Sequence, residues 1–339
     1  MPTESSTDLL KRIKRIALHP ALPEEKQFRI QLQEALAVQR KEAPRYRPKN
    51  SLNKPGGLLD FPSFAFPVVI VPDIHARASF LPKVLECHIK GESVLDLLSR
   101  GEIAVVCVGD AFHAESRAYE RWVLAYRDWI GGVFAGEAMK QEMAESLSTV
   151  RIVMEIKKAF PEHFHFLKGN HENITNKTAG GDFAFCKFVQ EGAMCRDFVQ
   201  LYYGEDILHS ISLWEMSLPI CAVFEDFCIS HAEPACFFKR EQIVNCRTRG
   251  GEEVVAAFTW TANGEAEEGS VDQLFEQLRP TAKREGAIWF GGHRSIGRAK
   301  CLFRQGGRYA QLHNPDAMNF ALVAPKRKFD PDKDIKSVF

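Results

Sequence analysis

The sequence predicts an α/β fold that carries its chemistry at the carboxyl ends of strands. Three apolar runs predict it: Pro67–Val71, Ile103–Val108 and His163–Leu167, each short and of the buried-strand type. Each run ends in a polar cluster, namely Asp73-Ile74-His75, Gly109-Asp110 and Gly169-Asn170-His171-Glu172. Helical stretches follow the first two, from Ser79 to about Lys90 and from about Glu115 to Ala159. Strand, polar cluster and helix in repeated succession is how an α/β sheet gathers a ligand outside its strand ends.

Residues 1–65 read as an N-terminal helical extension and linker. Leu9, Leu10, Ile13 and Ile16 recur at helical spacing, and Pro23-Glu24-Glu25 can open a second helix through Phe28, Leu32 and Leu36 to about Glu42. The proline-, glycine- and base-rich stretch from Pro44 to Pro67 reads as the linker. Residues 66–325 form the main domain, with a helical insertion at 115–160 broken near Gly131-Gly132, and 326–339 form a C-terminal tail. Later strands are expected at Pro219–Phe224, Asp226–Ser230 and Ala287–Phe290. Tyr309–Leu312 and Asn319–Val323 read as a closing hairpin around Asn314-Pro315-Asp316.

Apolar residues make up 45% and charged residues 26% of the 339, which is a globular composition. The formal net charge of zero favours neither nucleic acid nor a membrane surface as partner. No apolar run is long enough to span a bilayer, and Lys11, Arg12, Lys14 and Arg15 interrupt any signal-peptide pattern. The nine cysteines include no C-x-x-C pair and lie scattered through apolar runs, as reduced, buried thiols do. The expectation is a cytoplasmic enzyme.

Asp73, His75, Asp110, Asn170, His231 and His293 stand where strands are expected to end. Singly, each has an ordinary structural reading: Asp-x-His as a turn, Asn170 as a helix cap, a lone histidine as a satisfied core residue. Their order and shared placement point instead to a metal centre. Carboxylate, imidazole and amide oxygen together suit Mn, Fe, Zn or Ni ions. A shared aspartate can bridge two ions about 3.5 Å apart, and such a pair activates water and clamps phosphate.

With these motifs the chain resembles the calcineurin-like metallophosphoesterases, in particular the serine/threonine protein phosphatase branch. Asp73-Ile74-His75, Gly109-Asp110 and Gly169-Asn170-His171-Glu172 match its first three motifs, while Ser230-His231-Ala232-Glu233-Pro234 and Gly292-His293 resemble the later ones. The resemblance spans about residues 66–325. It implies a two-sheet mixed β sandwich flanked by helices, in four αββα layers, with two divalent or trivalent metal ions as cofactors. It implies that Asp73, His75 and His293 hold one ion, Asn170 and His231 the other, and that Asp110 bridges them. His171 would protonate the leaving group while a bridging hydroxide attacks a phosphomonoester. The substrate would be a phosphorylated small molecule or a phosphoprotein. The same metal core also serves phosphodiesterases and dinucleotide polyphosphate hydrolases, and a metal-binding scaffold without turnover is the reading from another class. Glu172 reads as a helix start or an outer support.

The second motif departs from the family, whose continuation is Asp-Arg-Gly. His113 takes the place of the aspartate that orients the catalytic histidine, and Ala114 that of the arginine that grips phosphate. His113 can still hydrogen-bond to His171, or Glu115 can supply the missing negative charge. Arg294 and Arg77, each adjacent to a motif, are the candidate phosphate-binding cations, since a guanidinium fits phosphate bidentately. Arg247 and Arg249 lie in a basic loop. Trp260 and Trp289 read as core residues.

Overall fold

A computed structural model describes residues 5–279 and 286–338. Six strands form one sheet, in the order β1 (Leu58–Phe61), β7 (Cys221–Phe224), β8 (Phe227–Ser230), β9 (Ile288–Gly291), β11 (Tyr309–Gln311) and β10 (Leu302–Arg304). Five form a second, in the order β13 (Ile335–Ser337), β12 (Asn319–Val323), β2 (Val68–Val71), β5 (Ala104–Cys107) and β6 (Phe164–Phe166). A small hairpin, β3 (His88–Ile89) and β4 (Glu92–Ser93), stands apart.

Alternation along the strands explains why these runs are apolar on both faces. Val68 and Ile70 of β2 enter the core between the sheets, with Leu59, Phe61, Ala222, Ile229 and Phe290. Val69 and Val71 face the opposite way, into a helical layer. That layer comprises α1 (Ser6–Leu18), α2 (Glu25–Arg40), α3 (Phe80–Glu86), α4 (Val94–Ser99), α5 (Tyr119–Ile130), α6 (Glu137–Ala159), α7 (Glu191–Tyr203) and α8 (Glu205–Ser217). On the far side, α9 (Arg240–Val244), α10 (Glu252–Thr259) and α11 (Ser270–Leu278) cover the outer face of the six-stranded sheet. Helix α12 (Pro331–Asp334) packs beside β12 and β13. The predicted four-layer αββα sandwich is therefore present.

Three expectations are corrected. The stretch 44–67 is more than a linker, because Leu58–Phe61 pairs in parallel with β7. The expected C-terminal tail contributes β13, antiparallel to β12. Tyr309–Gln311 and Asn319–Val323 are no hairpin: β11 pairs with β9 and β10 in one sheet, and β12 with β2 and β13 in the other. The segment between them crosses over one end of the sandwich.

The N-terminal helices pack on the body. Leu9, Ile13, Phe28 and Leu32 are buried in the same core as β2 and β5. A buried ionic cluster fastens the next turn of chain: Arg47 and Lys157 both bind Glu42, and Arg47 also donates to the carbonyls of Gly56 (2.9 Å) and Ser217 (2.6 Å). Among the described residues, no helix is long and apolar enough to cross a membrane.

Candidate metal centre

Parallel pairing brings the motifs together. Strands β2, β5 and β6 run in parallel, and so do β8, β9 and β11, so the carboxyl ends of each set lie at one edge. Asp73, Asp110 and Asn170 follow the first set, and His231 and His293 follow the second. The backbone turns sharply there: His75, Asp110, His113 and His293 have φ of 46°, 55°, 66° and 66°, a region that side chains other than glycine seldom occupy. Such strain persists where surrounding structure imposes it, and imidazoles from both sheets meet at one point.

That point is Asp110 Oδ2. It lies 3.5 Å from His75 Nε2, 3.4 Å from His231 Nε2 and 3.9 Å from His171 Nε2. Asn170 Oδ1 is 2.8 Å from His231 Nε2 and 3.0 Å from His293 Nδ1. Ligands about 2.1 Å from a common ion sit roughly 3.0 Å apart on an octahedral edge and roughly 3.4 Å apart on a tetrahedral one. The contacts of Asp110 Oδ2 with His75 and His231, and of Asn170 Oδ1 with His293, lie at or near that range. Asp73 Oδ2 is buried with no hydrogen-bond partner among the described residues, as a donor atom kept for an ion would be. The donor set thus fits a divalent metal centre.

His293 changes sides relative to expectation. Its ring stands with Asn170 and, at 5.1 Å between centroids, with His231, while only its backbone N–H reaches Asp73 (2.9 Å). His75 and His231 rest their far nitrogens, both Nδ1, on the carbonyls of His113 (3.0 Å) and Val108 (3.1 Å), which leaves Nε2 facing inward. Two glycines are required by close approach. A Cβ on Gly169 would meet Asp110 Oδ1 at 2.0 Å, and one on Gly292 would meet Asp73 Oδ2 at 1.8 Å.

Burial governs the charge of the site. It lowers His75 to about 4 and His293 to about 3, and holds His231 well below its ordinary value, so these imidazoles are neutral and able to bind metal. Burial, with Glu172 and Asp73 nearby, drives Asp110 well above the usual carboxylate range. Glu172 supports the loops, accepting from the N–H groups of Asp110 (2.9 Å), Ala111 (2.8 Å) and Gly169 (2.7 Å).

His171 donates its backbone N–H to Asp110 Oδ1 (3.0 Å), and its Nδ1 lies 2.6 Å from His113 Nδ1. Phe185 covers both rings, 3.8 Å from His171 and 4.8 Å from His113 between centroids. The helical insertion props this loop: Ser146 on α6 accepts from His113 N (3.1 Å), and Glu142 from Ala114 N (2.8 Å). Glu115 turns away from this pair, to Lys187 Nζ (2.9 Å) and His313 Nε2 (3.1 Å).

The predicted cations differ. Arg77 is committed to the structure, since its guanidinium donates to the carbonyls of Asp73 (2.5 Å), Ile74 (2.9 Å), Asn314 (3.0 Å) and Ala317 (3.0 Å). Arg294 is exposed beside His293. Arg247 approaches Asp182 at 3.9 Å. Trp289 is a core residue, whereas Trp260 is half-buried against Phe183. Sequence reasoning missed His313, which no motif flanks, and Lys187, whose approach to Glu115 spans 72 positions.

No family model and no curated protein matches the chain. Among solved structures, a protein serine/threonine phosphatase from Saccharomyces cerevisiae superposes with a TM-score of 0.58 at 14% identity, covering 99% of this chain and 96% of that one. A cold-active protein-tyrosine phosphatase of a Shewanella species gives 0.46 at 13% identity over 83% and 82% of the two chains. A metallophosphoesterase from Sphaerobacter thermophilus gives 0.35 at 12% over 81% and 89%. The first of these, with the two mixed sheets and their helical layers, shows that this chain has the calcineurin-like metallophosphoesterase fold.

Proposed function

We propose that the protein hydrolyses phosphomonoesters at a dinuclear metal centre. Asp73, His75 and Asp110 would hold the first ion, and Asp110, Asn170, His231 and His293 the second. The observation that carries this reading is the position of Asp110 Oδ2, within 3.5 Å of an imidazole of either group. Bound there, two cations supply a nucleophile from water near neutral pH and neutralise the phosphoryl oxygens.

The chain's own residues do the rest. His171, tethered through Nδ1 to His113, presents Nε2 to the centre and holds the proton that the leaving oxygen needs. His171 is close enough to Asp110 to share an ion by distance alone, but its pairing with His113 favours the proton-donor role. Phe185 excludes water from the face of this pair. Arg294, exposed beside His293, takes the phosphate and supplies the charge that Ala114 lacks. Phosphoserine or phosphothreonine in a protein and a small phosphorylated metabolite are both accommodated by this chemistry.

The test couples metal analysis to a phosphatase screen with added Mn²⁺. Two ions per chain are expected, with turnover reduced by about a thousandfold or more in Asp110→Asn, since both ions share that carboxylate. A wild-type chain that takes up no metal, or an Asp110→Asn variant with full activity, overturns the reading.

A further inference from the structure

One buried histidine stands at this centre without belonging to any of the motifs. His313 follows β11 where the chain leaves one sheet for the other, and it is fully buried. Its Nδ1 has no hydrogen-bond partner among the described residues and lies 3.5 Å from Asp73 Oδ2, which has none either. Its ring is 5.3 Å from that of His75 between centroids. Asp73, His75 and His313 each offer a ligand atom within 4.8 Å of the other two.

A neutral histidine kept only for packing would leave Nδ1 and Asp73 Oδ2 as two poorly satisfied interior atoms, each costing about 1–3 kcal/mol. A cation between them satisfies both. The rear of the ring supports this. His75 and His231 each rest one nitrogen on a carbonyl and turn the other inward. His313 repeats the device with a carboxylate: Nε2 approaches Glu115 Oε2 at 3.1 Å, short though poorly aligned, and Nδ1 faces Asp73. Carboxylate behind imidazole is one of the usual ways a protein orients a metal-binding histidine. Glu115 is itself fixed by Lys187, 2.9 Å from Oε1.

We propose that His313 is a ligand of the first ion, beside Asp73, His75 and Asp110, and that Glu115 is its positioning residue. This rests on the dinuclear reading above. A second imidazole makes the first site one of two nitrogens and two carboxylates, a set that favours zinc, iron or cobalt over magnesium or calcium.

Cobalt(II) titration of the full metal-depleted chain tests this, read by visible absorption and elemental analysis and not by activity. Wild type is expected to take up two ions. In His313→Ala the second ion stays and the first weakens by more than the roughly 10–100-fold expected for losing an outer partner, while Glu115→Ala shows that smaller loss. His313→Asn, which keeps a polar group in the space, repeats the result should the alanine variant not fold, and circular dichroism reports the fold of each. Two ions at wild-type affinity in the His313 variants overturn this proposal alone. No cobalt uptake by wild type overturns it together with the dinuclear reading.

Discussion

Replacing His113 by aspartate should hand His171 a negative neighbour and move its protonation upward. In the native site the partner is another imidazole, 2.6 Å away, which burial lowers to about 3 and so keeps neutral. Burial, then His113 and the other imidazoles, holds His171 well below its ordinary value. A proton donor to a leaving alkoxide must be imidazolium, and two neutral rings sharing one proton favour it poorly. An aspartate oxygen reaches about as far from Cβ as Nδ1 does, so the hydrogen bond survives the exchange. Its charge, about 4 Å from the ring, is worth about 4 kcal/mol at an effective dielectric of 20, an upper bound near three pKa units. The cost of burying the new carboxylate and the pull of two cations cut this to roughly one or two units. The alkaline limb of kcat against pH, on an alkyl phosphate whose leaving oxygen needs the proton, with Mn²⁺ and released phosphate as the readout, should move up by at least about one unit. Activity above the native limb should rise about tenfold, the change in imidazolium fraction for one unit. A folded His113→Asp enzyme with an unmoved alkaline limb would refute the pairing of these rings as the control of proton donation.

Three further outcomes are expected. Gly292→Ala places a Cβ 1.8 Å from Asp73 Oδ2, so metal content should fall from two ions toward one while circular dichroism stays native. Arg294→Ala should raise KM for a phosphomonoester by about tenfold, the loss of one charge-assisted hydrogen bond, with metal content unchanged; an unchanged KM excludes the residue from substrate binding. His165, fully buried against Lys157 and Glu42, is lowered to about 4 by burial and then by Lys157, so the unfolded chain binds the extra proton between about pH 6.5 and 4. Its contribution is present above that window and lost as pH falls through it, by up to about 3 kcal/mol. Acid melts of wild type and His165→Gln should therefore converge as the pH drops, and parallel curves would count against it.

What was legible in the sequence was whatever a strand announces locally. Asp73, Asp110 and Asn170 each follow a buried apolar run within a few residues, and parallel pairing carries that order into space. His313 was hidden because Tyr309–Val323 has the local pattern of a hairpin, and only the crossing between sheets swings it onto Asp73. Arg77 shows the converse: adjacency to a motif does not give direction, and its guanidinium folds back onto four carbonyls. Strand β1 is four residues among prolines and glycines, and its partner lies some 160 positions away, beyond the reach of any local pattern. The side His293 would serve depends on which ring nitrogen meets Asn170, a question of rotamer and not of spacing.

Strand β1 also bears on how the molecule can be shortened. A polypeptide trimmed to start at residue 66, just ahead of the first motif, would keep every candidate metal ligand yet strip the outermost ribbon from the six-stranded sheet. The row of N–H and C=O groups along Cys221–Phe224 would then stand open as a template for another copy. Lys157 would be left in the interior without Glu42, its carboxylate counterion. Solubility, more than chemistry, would be the first casualty of that cut.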